Sequence, residues 1–282
     1  MKFVGQGKNQ IEFVIDGTLL APANPRDIKK DTWINFRYIN DLYISGAGTL
    51  NGQGKQSWPL NDCHKTSTTM GFAFVTNSRI NRITSLNSKI GITITAPGDS
   101  PNTDSIKLGF SSNIHISNTV IGTGDDCITI FLHMISVRSL GKNQDEKDVT
   151  DLTVKDIVFN GTSDGIRIKT WDSSALKIII SKFVFENIQM INVEKLINID
   201  QKYCPHPPCE KKGDSHVQIQ DLKLKNIYGT SMNKVVSFLC KNVVLIDINI
   251  EHNGVDDGLS TAMCENVDGS AHGKMVPQHC MR

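Results

Sequence analysis

Long apolar runs and an excess of one charge are both missing from this chain of 282 residues. A membrane-spanning helix needs about 20 consecutive apolar residues, and no run reaches that length, so we expect no membrane partner. The 30 Lys and Arg residues nearly balance the 29 Asp and Glu residues, which leaves a formal charge of +1. This balance creates no field that would attract nucleic acid, so we expect no nucleic-acid partner either.

Cysteines are too sparse for a disulfide-dense miniprotein, since only seven occur in the whole chain. Cys204 and Cys209 flank a short segment that contains a histidine. A zinc site needs about four ligands, and no second Cys/His pair stands nearby, so the pattern favours a local disulfide over a metal clip. We expect Cys264 and Cys280 to pin the C-terminal tail in the same way. The odd count leaves at least one thiol without a partner.

An export signal is also missing, because no apolar core of about 7–15 residues follows the basic Lys2. The chain is therefore either cytosolic or the trimmed remainder of a secreted protein. The triplet Asn160–Thr162 is a glycosylation sequon, which favours secretion weakly because such triplets also arise by chance.

Helical periodicity is nearly absent, and short runs that alternate apolar and polar residues take its place. Several runs resemble one another: a polar residue, two aliphatics two positions apart, and then a turn-forming residue. The clearest examples are Asp41–Gly46, Asn113–Asn118, Asp151–Asp156 and Asp221–Asn226. Internal similarity of this kind indicates a repeat architecture whose units bury their apolar faces against one another.

Similar short strands with Asn and Gly corners predict an all-β solenoid, the parallel β-helix. An antiparallel sandwich also has many short strands between turns, but it does not explain why successive strands look alike. Because the composition does not change along the chain, we expect residues 1–282 to form a single domain.

Two groups of carboxylates stand out, in Asn102–Asp104 and Gly124–Asp126. Asp104 and Asp125 are 21 residues apart (125 − 104), which suits one turn of a large β-helix and neighbouring strands about 4.8 Å apart. Clustered carboxylates repel, which raises the pKa of one of them and lets it act as a general acid. A proton donor beside a base that activates water can hydrolyse a glycosidic bond with inversion. The alternative is that these residues only form corners of the fold.

A pair of cations follows in the segment Asp164–Trp171. Arg167 and Lys169 are two residues apart, so a strand would point both to one face while Ile166 and Ile168 point inward. Such a pair can hold a carboxylate, the Arg by two parallel hydrogen bonds and the Lys as a point charge. The alternative is an ordinary solvated strand surface.

Taken together, these motifs resemble those of the polygalacturonases, the pectin-cleaving glycoside hydrolases of family 28. That family has four signatures in the order Asn-Thr-Asp, Gly-Asp-Asp, Gly-His-Gly and Arg-x-Lys. The first, second and fourth stand here at Asn102–Asp104, Gly124–Asp126 and Arg167–Lys169. The similarity spans nearly the whole chain and is strongest to the plant exo-acting branch, for example at 32–37 and 52–58.

The resemblance implies a right-handed parallel β-helix that hydrolyses α-1,4-linked galacturonate by inversion, with exo action expected. It implies that Asp125 is the general acid and that Asp104 and Asp126 position and deprotonate water. Asn102 would orient Asp104. No metal or organic cofactor is implied.

Substrate binding is implied for the cationic pair, since Arg167 and Lys169 would grip a galacturonate carboxylate while Tyr203 lines the cleft. The expected partner is a pectic polysaccharide or an oligogalacturonate, bound by a monomer. The resemblance also places the protein outside the cell, in the cell wall.

The third signature departs from the family, because it reads Leu132-His133-Met134 where the family has glycines on both sides of the histidine. Leu and Met resist the close backbone approach and positive φ that glycine allows. The resemblance implies that His133 supports proton transfer or positions the acid. The alternative is a displaced turn histidine.

The chain is also shorter than the family between its motifs. His133 follows Asp126 by seven residues, a reach of at most about 25 Å, which is too short for the coil that the family places there. We therefore expect missing coil segments near 89–91 and 130–133, besides a truncated N-terminus. The family pairs the cysteine after Gly-Asp-Asp with one in that coil, so the resemblance leaves Cys127 without a partner.

Three functions are compatible with these features. The first is an active, exo-acting polygalacturonase. The second is a degenerate or mis-spliced homologue that is either folded but inactive or unable to fold. The third is a non-catalytic β-helix that binds acidic pectic oligosaccharide without cleaving it.

Overall fold

The computed structural model describes residues 1–5, 9–22, 24, 27, 33–51, 70–82, 84–86, 106–109, 111–121, 128–131, 148–172, 174–204, 215–232, 235–238, 241–254, 260–264 and 267–281. Within these ranges most of the chain forms β-strands. None of these residues belongs to a helix long and apolar enough to cross a lipid bilayer.

The strands are numbered in chain order within the described residues. They are β1 (Lys2–Val4), β2 (Ile11–Val14), β3 (Thr18–Leu20), β4 (Ile34–Asn40), β5 (Leu42–Ser45), β6 (Thr49–Asn51), β7 (Met70–Asn81), β8 (Thr84–Leu86), β9 (Ile106–Gly109), β10 (Ser112–Ile121), β11 (Ile128–Phe131), β12 (Val149–Asn160), β13 (Asp164–Trp171), β14 (Ile179–Val193), β15 (Lys195–Tyr203), β16 (Gln218–Ser231), β17 (Val235–Phe238), β18 (Lys241–His252), β19 (Thr261–Cys264) and β20 (Gly269–Val276).

These strands form three sheets, and all of their pairings are parallel. The largest sheet has thirteen strands, with β1-β4-β7-β10-β12-β14-β16-β18-β20 as its main path. The second contains β13-β15-β17-β19, and the third contains β3-β6-β8. The parallel β-helix is therefore confirmed, and the antiparallel sandwich is wrong for this chain.

The repeated sequence segments stack directly on one another, as their similarity predicts. Ile114 pairs with Leu152, Leu152 pairs with Phe183, and Phe183 pairs with Leu222. Equivalent positions thus recur after 38, 31 and 39 residues on four successive coils. Each coil presents the same aliphatic pattern to the next, so the buried face is continuous along the solenoid.

The polar residues that bound these segments lie at the corners of the coils. Asn113 and Asn118 have φ values of 53° and 52°, and Asp151 and Asp156 have values of 61° and 55°. Asn and Asp enter this left-handed region more readily than other non-glycine residues, because their short side chains bond locally. The sequence signal of a polar residue at each end of an aliphatic pair therefore marks the corners.

The interior holds the aliphatic and aromatic side chains of every coil. Phe36 and Phe72 are almost fully buried, and their rings stack with centroids 5.4 Å apart. Val154 and Leu224 have no exposed surface. Burial of this kind is the main stabilising contribution in a fold that contains little local hydrogen bonding within each element.

Two of the expected disulfide features are present. Cys264 and Cys280 are bonded, with Cα atoms 5.6 Å apart, which confirms that the C-terminal tail is pinned. Cys204 is disulfide-bonded as well, while its expected partner Cys209 lies outside the described residues, as does Cys127.

Candidate active site

Of the eight residues assigned to the site from the sequence, the structure describes Arg167, Lys169 and Tyr203. The other five lie outside the described residues, namely Asn102, Asp104, Asp125, Asp126 and His133. The site is therefore built below from the cationic pair and its surroundings.

Strand β13 places the two cations on its outer side. Ile166 and Ile168 point into the core and are only 2% and 3% exposed. Arg167 and Lys169 alternate with them, so both face outward, as the two-residue spacing predicts.

Neither cation belongs to an ordinary solvated surface. Lys169 is 9% exposed and the side chain of Arg167 is 18% exposed, whereas the side chain of Lys182 on β14 is 66% exposed. Burying a charged group costs free energy unless partners surround it. The two cations are thus held within a structured outer surface.

Tyr203 covers both cations from the end of β15. Its ring centroid lies 5.1 Å from Lys169 Nζ and 5.8 Å from Arg167 Cζ. Both distances fall within the range in which the face of an aromatic ring attracts a cation. The three residues that the resemblance assigned to substrate binding therefore form one cluster, which we call the cationic cluster.

A register shift brings Tyr203 into this position. Lys169 pairs with Asp200, but Trp171 pairs with Tyr203, so β15 contains one extra residue between the two pairs. Strict alternation from Asp200 would point Lys202 outward and Tyr203 inward. The extra residue places Tyr203 opposite Trp171 instead, and its ring lies over the two cations.

Two further residues of the site were missed by sequence reasoning. The carboxylate of Asp164 is 2% exposed and accepts hydrogen bonds from Arg167 Nη1 at 3.1 Å and from Asn198 Nδ2 at 2.9 Å. Asn198 pairs with Arg167 across β13 and β15. The signal in the sequence was an acid three residues before Arg167, but nothing in one sequence identifies the strand that supplies Asn198.

The close approach of β13 and β15 depends on Gly165. A Cβ atom at this position would lie 2.7 Å from the backbone oxygen of Leu196 on β15. Any larger residue would push the strands apart, and with them Asp164 and Asn198. Glycine is therefore required for the distance between these two side chains.

The carboxylate motifs precede two strands that the structure does describe. Asp104 stands two residues before β9 and Asp126 two residues before β11, and these strands pair in parallel with Ile106 opposite Ile128. Strand β11 in turn lies next to β13. Strands β9, β11, β13 and β15 thus follow one another along the solenoid.

Metal binding receives no support from the described part of the chain, in which no three His, Cys, Asp or Glu side chains cluster in a way that could hold an ion. The cationic cluster supplies two cations and one phenol, and Asp164 and Asn198 add one carboxylate and one amide beside it. This set suits an anionic ligand that also has a face to pack against a ring.

Known proteins with similar sequences are glycoside hydrolases. The model of the family described as Glycosyl hydrolases family 28 matches residues 1–276. The chain is 38% identical to an exopolygalacturonase of Zea mays, a match that covers 99% of this chain and 78% of that relative. It is 39% identical to a polygalacturonase of Brassica napus, with coverages of 98% and 80%.

The aligned region is longer than this chain. The match to the Zea mays protein extends over 323 aligned residues, which is more than the 282 residues of this chain. The relative therefore has residues within the matched region that have no counterpart here.

Solved structures share the fold. A polygalacturonase from Erwinia carotovora ssp. carotovora superposes with a TM-score of 0.59 at 23% identity, over 92% of this chain and 83% of that one. An endo-xylogalacturonan hydrolase from Aspergillus tubingensis gives a TM-score of 0.61 at 15% identity, over 96% and 92%. At such identities the similarity concerns the β-helix itself.

Proposed function

Because this chain belongs to glycosyl hydrolase family 28, we propose that it hydrolyses the α-1,4-galacturonosyl linkages of pectin from a chain end, with inversion. The family and the names of its relatives make it a glycoside hydrolase of the polygalacturonase type. Exo action is favoured by the relatives that are named exopolygalacturonases.

The observation that carries the proposal is the cationic cluster. Every unit of polygalacturonate has one carboxylate and a sugar ring with an apolar face. Arg167 can receive the carboxylate through paired hydrogen bonds, and Lys169 adds a second charge. The ring of Tyr203 lies close enough to pack against the same sugar.

Hydrolysis is assigned to the carboxylates that precede β9 and β11. Asp125 donates a proton to the glycosidic oxygen as the bond from the anomeric carbon to that oxygen breaks. Asp104 and Asp126 position a water molecule on the opposite face of the sugar and accept its proton as the water oxygen bonds to the anomeric carbon. The anomeric configuration is thereby inverted.

The described strands next to these motifs support the proposal. Strands β9 and β11 pair in parallel, with Ile106 opposite Ile128, and the two carboxylate motifs directly precede them in the sequence.

Supporting roles fall to two more residues. Asn102 would orient Asp104 through its amide, and His133 would assist the proton transfer of Asp125. No cofactor is needed for this chemistry, because the proton donor, the base and the carboxylate-binding group are all side chains. We propose that the protein acts as a monomer on pectic polysaccharide in the cell wall.

A second candidate function is binding of acidic pectic oligosaccharide without cleavage. This function is favoured by two observations. The residues of the cationic cluster are all present, whereas in the third signature Leu132 and Met134 replace the family's glycines. Such a protein would retain affinity for oligogalacturonate but would release no reducing ends.

The decisive experiment measures reducing ends released from polygalacturonate by the wild-type protein and by Asp125→Asn. We expect release by the wild type and a loss of more than about 100-fold in the variant, since general acid catalysis contributes about 10²–10⁴-fold. Asp27→Asn, which removes an exposed carboxylate elsewhere, serves as the matched control. Binding of trigalacturonate without any release by the folded wild type would establish the second function instead.

A further inference from the structure

A buried carboxylate lies beneath the cationic cluster. Asp164 is the first residue of β13, and its side chain is 2% exposed. One oxygen accepts a hydrogen bond from Arg167 Nη1 and the other accepts one from Asn198 Nδ2. A buried carboxylate requires such partners, because its desolvation would otherwise cost several kcal/mol.

The two bonds connect adjacent strands at the outer surface. Arg167 and Asn198 are opposite one another in the register of β13 and β15. Asp164 therefore bonds to the side chain of an outward residue on each strand. The guanidinium group is planar, so a hydrogen bond through Nη1 restricts the orientation of the plane that contains its other N–H groups.

The two cations lie at different distances from the ring of Tyr203. Lys169 lies under the ring of Tyr203 at 5.1 Å, a contact without a defined hydrogen-bond direction. Arg167 lies farther from the ring, at 5.8 Å, but has a direct bond to Asp164 at 3.1 Å. The orientation of the guanidinium is thus set by the carboxylate more than by the tyrosine.

We infer that Asp164, itself oriented by Asn198, is a positioning residue that holds the guanidinium of Arg167 ready for a uronate carboxylate. This inference rests on the proposed function of the cationic cluster and deepens it. If Asp164 were purely structural, it would hold β13 and β15 together without affecting the binding of the ligand.

The first test separates binding from turnover in the 282-residue protein. Asp164→Asn keeps the size of the side chain and an oxygen that can accept from Asn198, but it removes the charge that orients Arg167. We expect KM for polygalacturonate to rise roughly 10-fold, because one hydrogen bond to a charged group contributes about that factor to binding. We expect kcat to change less than about 2-fold. A purely structural role predicts a lower melting temperature with KM unchanged.

The second test asks whether Asp164 acts through Arg167. In an Arg167→Gln background, adding Asp164→Asn should change KM by less than about 2-fold, because the group to be positioned is already absent. Asn198 still donates to Asp164 in this background, so the single variant does not leave that carboxylate without a partner. Independent, multiplying effects of the two substitutions would overturn the inference.

A third measurement needs no substrate and keeps the inference separate from the proposed function. Phenylglyoxal modifies accessible arginines, and the rate at Arg167 can be followed by peptide mass spectrometry in the native protein. We expect the rate to increase several-fold in Asp164→Asn, because the guanidinium is released from its carboxylate. An unchanged rate would contradict positioning even if the protein binds pectin.

The matched control is Asp151→Asn, which breaks the exposed ion pair of Asp151 with Lys182 (3.9 Å) on a different sheet. It removes the same charge and should alter neither KM nor the reactivity of Arg167. The wild type could fail to bind trigalacturonate while Asp164→Asn still increases the rate of phenylglyoxal modification at Arg167. In that case the positioning role stands and the proposed function is wrong.

Discussion

Tyr203 illustrates how a single residue acquires its role from its surroundings. Its ring lies over Lys169 and Arg167 only because β15 contains one extra residue before it. The neighbouring Lys202 is exposed. A motif search can mark the tyrosine, but the bulge that aims it depends on how two strands pair.

Replacing Tyr203 tests the contribution of the ring. Tyr203→Leu should weaken the binding of trigalacturonate by roughly 2- to 5-fold, because one exposed contact between a cation and a ring contributes about that factor. The variant also loses the ring surface against which the sugar packs. Tyr203→Phe keeps the ring and should lie closer to the wild type. Isothermal titration calorimetry measures both, and equal losses in the two variants would show that the hydroxyl group is what matters.

The repeated segments show what whole elements contribute. Glu186 on β14 lies between Lys155 on β12 and Lys225 on β16, with N–O distances of 2.5 and 2.7 Å. Hydrogen bonds from the two lysines lower the pKa of Glu186 to about 2. One carboxylate thus connects three successive coils on the outside of the sheet.

The pH dependence of this connection follows from the lowered pKa. A carboxylate whose pKa is lower in the folded state stabilises that state above its unfolded pKa, and the contribution is lost as pH falls toward the folded pKa. Glu186→Gln should cost about 1 kcal/mol at pH 7, since both lysines are over two-fifths exposed and solvent screens the pair. The difference from wild type should shrink between about pH 4.5 and 2.

Denaturant unfolding at pH 7 and at low pH measures this difference. Asp151→Asn, in the longer and more exposed pair with Lys182, is the control and should have almost no effect at either pH. A cost for Glu186→Gln that is the same at both pH values would show that packing, not charge, is responsible.

The pairing of β10 with β12 bears on the predicted loss of a coil. These strands are direct neighbours, and the sequence between them contains both Gly124–Asp126 and His133. The relatives carry additional residues within the matched region. The missing segment near 130–133 stays a prediction, and a solenoid tolerates such a loss when the flanking coils still stack in register.

The whole molecule is a stack of coils. The coils at its two ends are the least stable, because each contacts only one neighbouring coil. At the C-terminal end the disulfide between Cys264 and Cys280 ties β19 to the segment after β20. A cross-link between residues 16 apart restricts the unfolded chain and, in the chain-entropy view, contributes about 3 kcal/mol.

Removing this disulfide should therefore loosen the last coils first. In the double variant Cys264→Ser and Cys280→Ser, we expect faster amide hydrogen exchange in β18 to β20 and little change in β4 or β7. Mass spectrometry of exchanged peptides resolves the two regions. A uniform increase along the whole chain would show that the protein unfolds as one unit and that the end coil has no separate stability.

The sequence by itself determined the architecture, because alternating aliphatics and corner residues such as Asn113 and Asp156 specify local strand and turn geometry that repeats on every coil. It also determined that Arg167 and Lys169 share a face, since that follows from the two-residue period of a strand. Only the tertiary structure decided that Asp164 and Asn198 hold Arg167 and that Tyr203 covers the cations. Apart from the bond between Asp164 and Arg167, which are three residues apart, those contacts join residues 34 or more positions apart. They depend on the register and the bulge between β13 and β15, which local sequence does not encode.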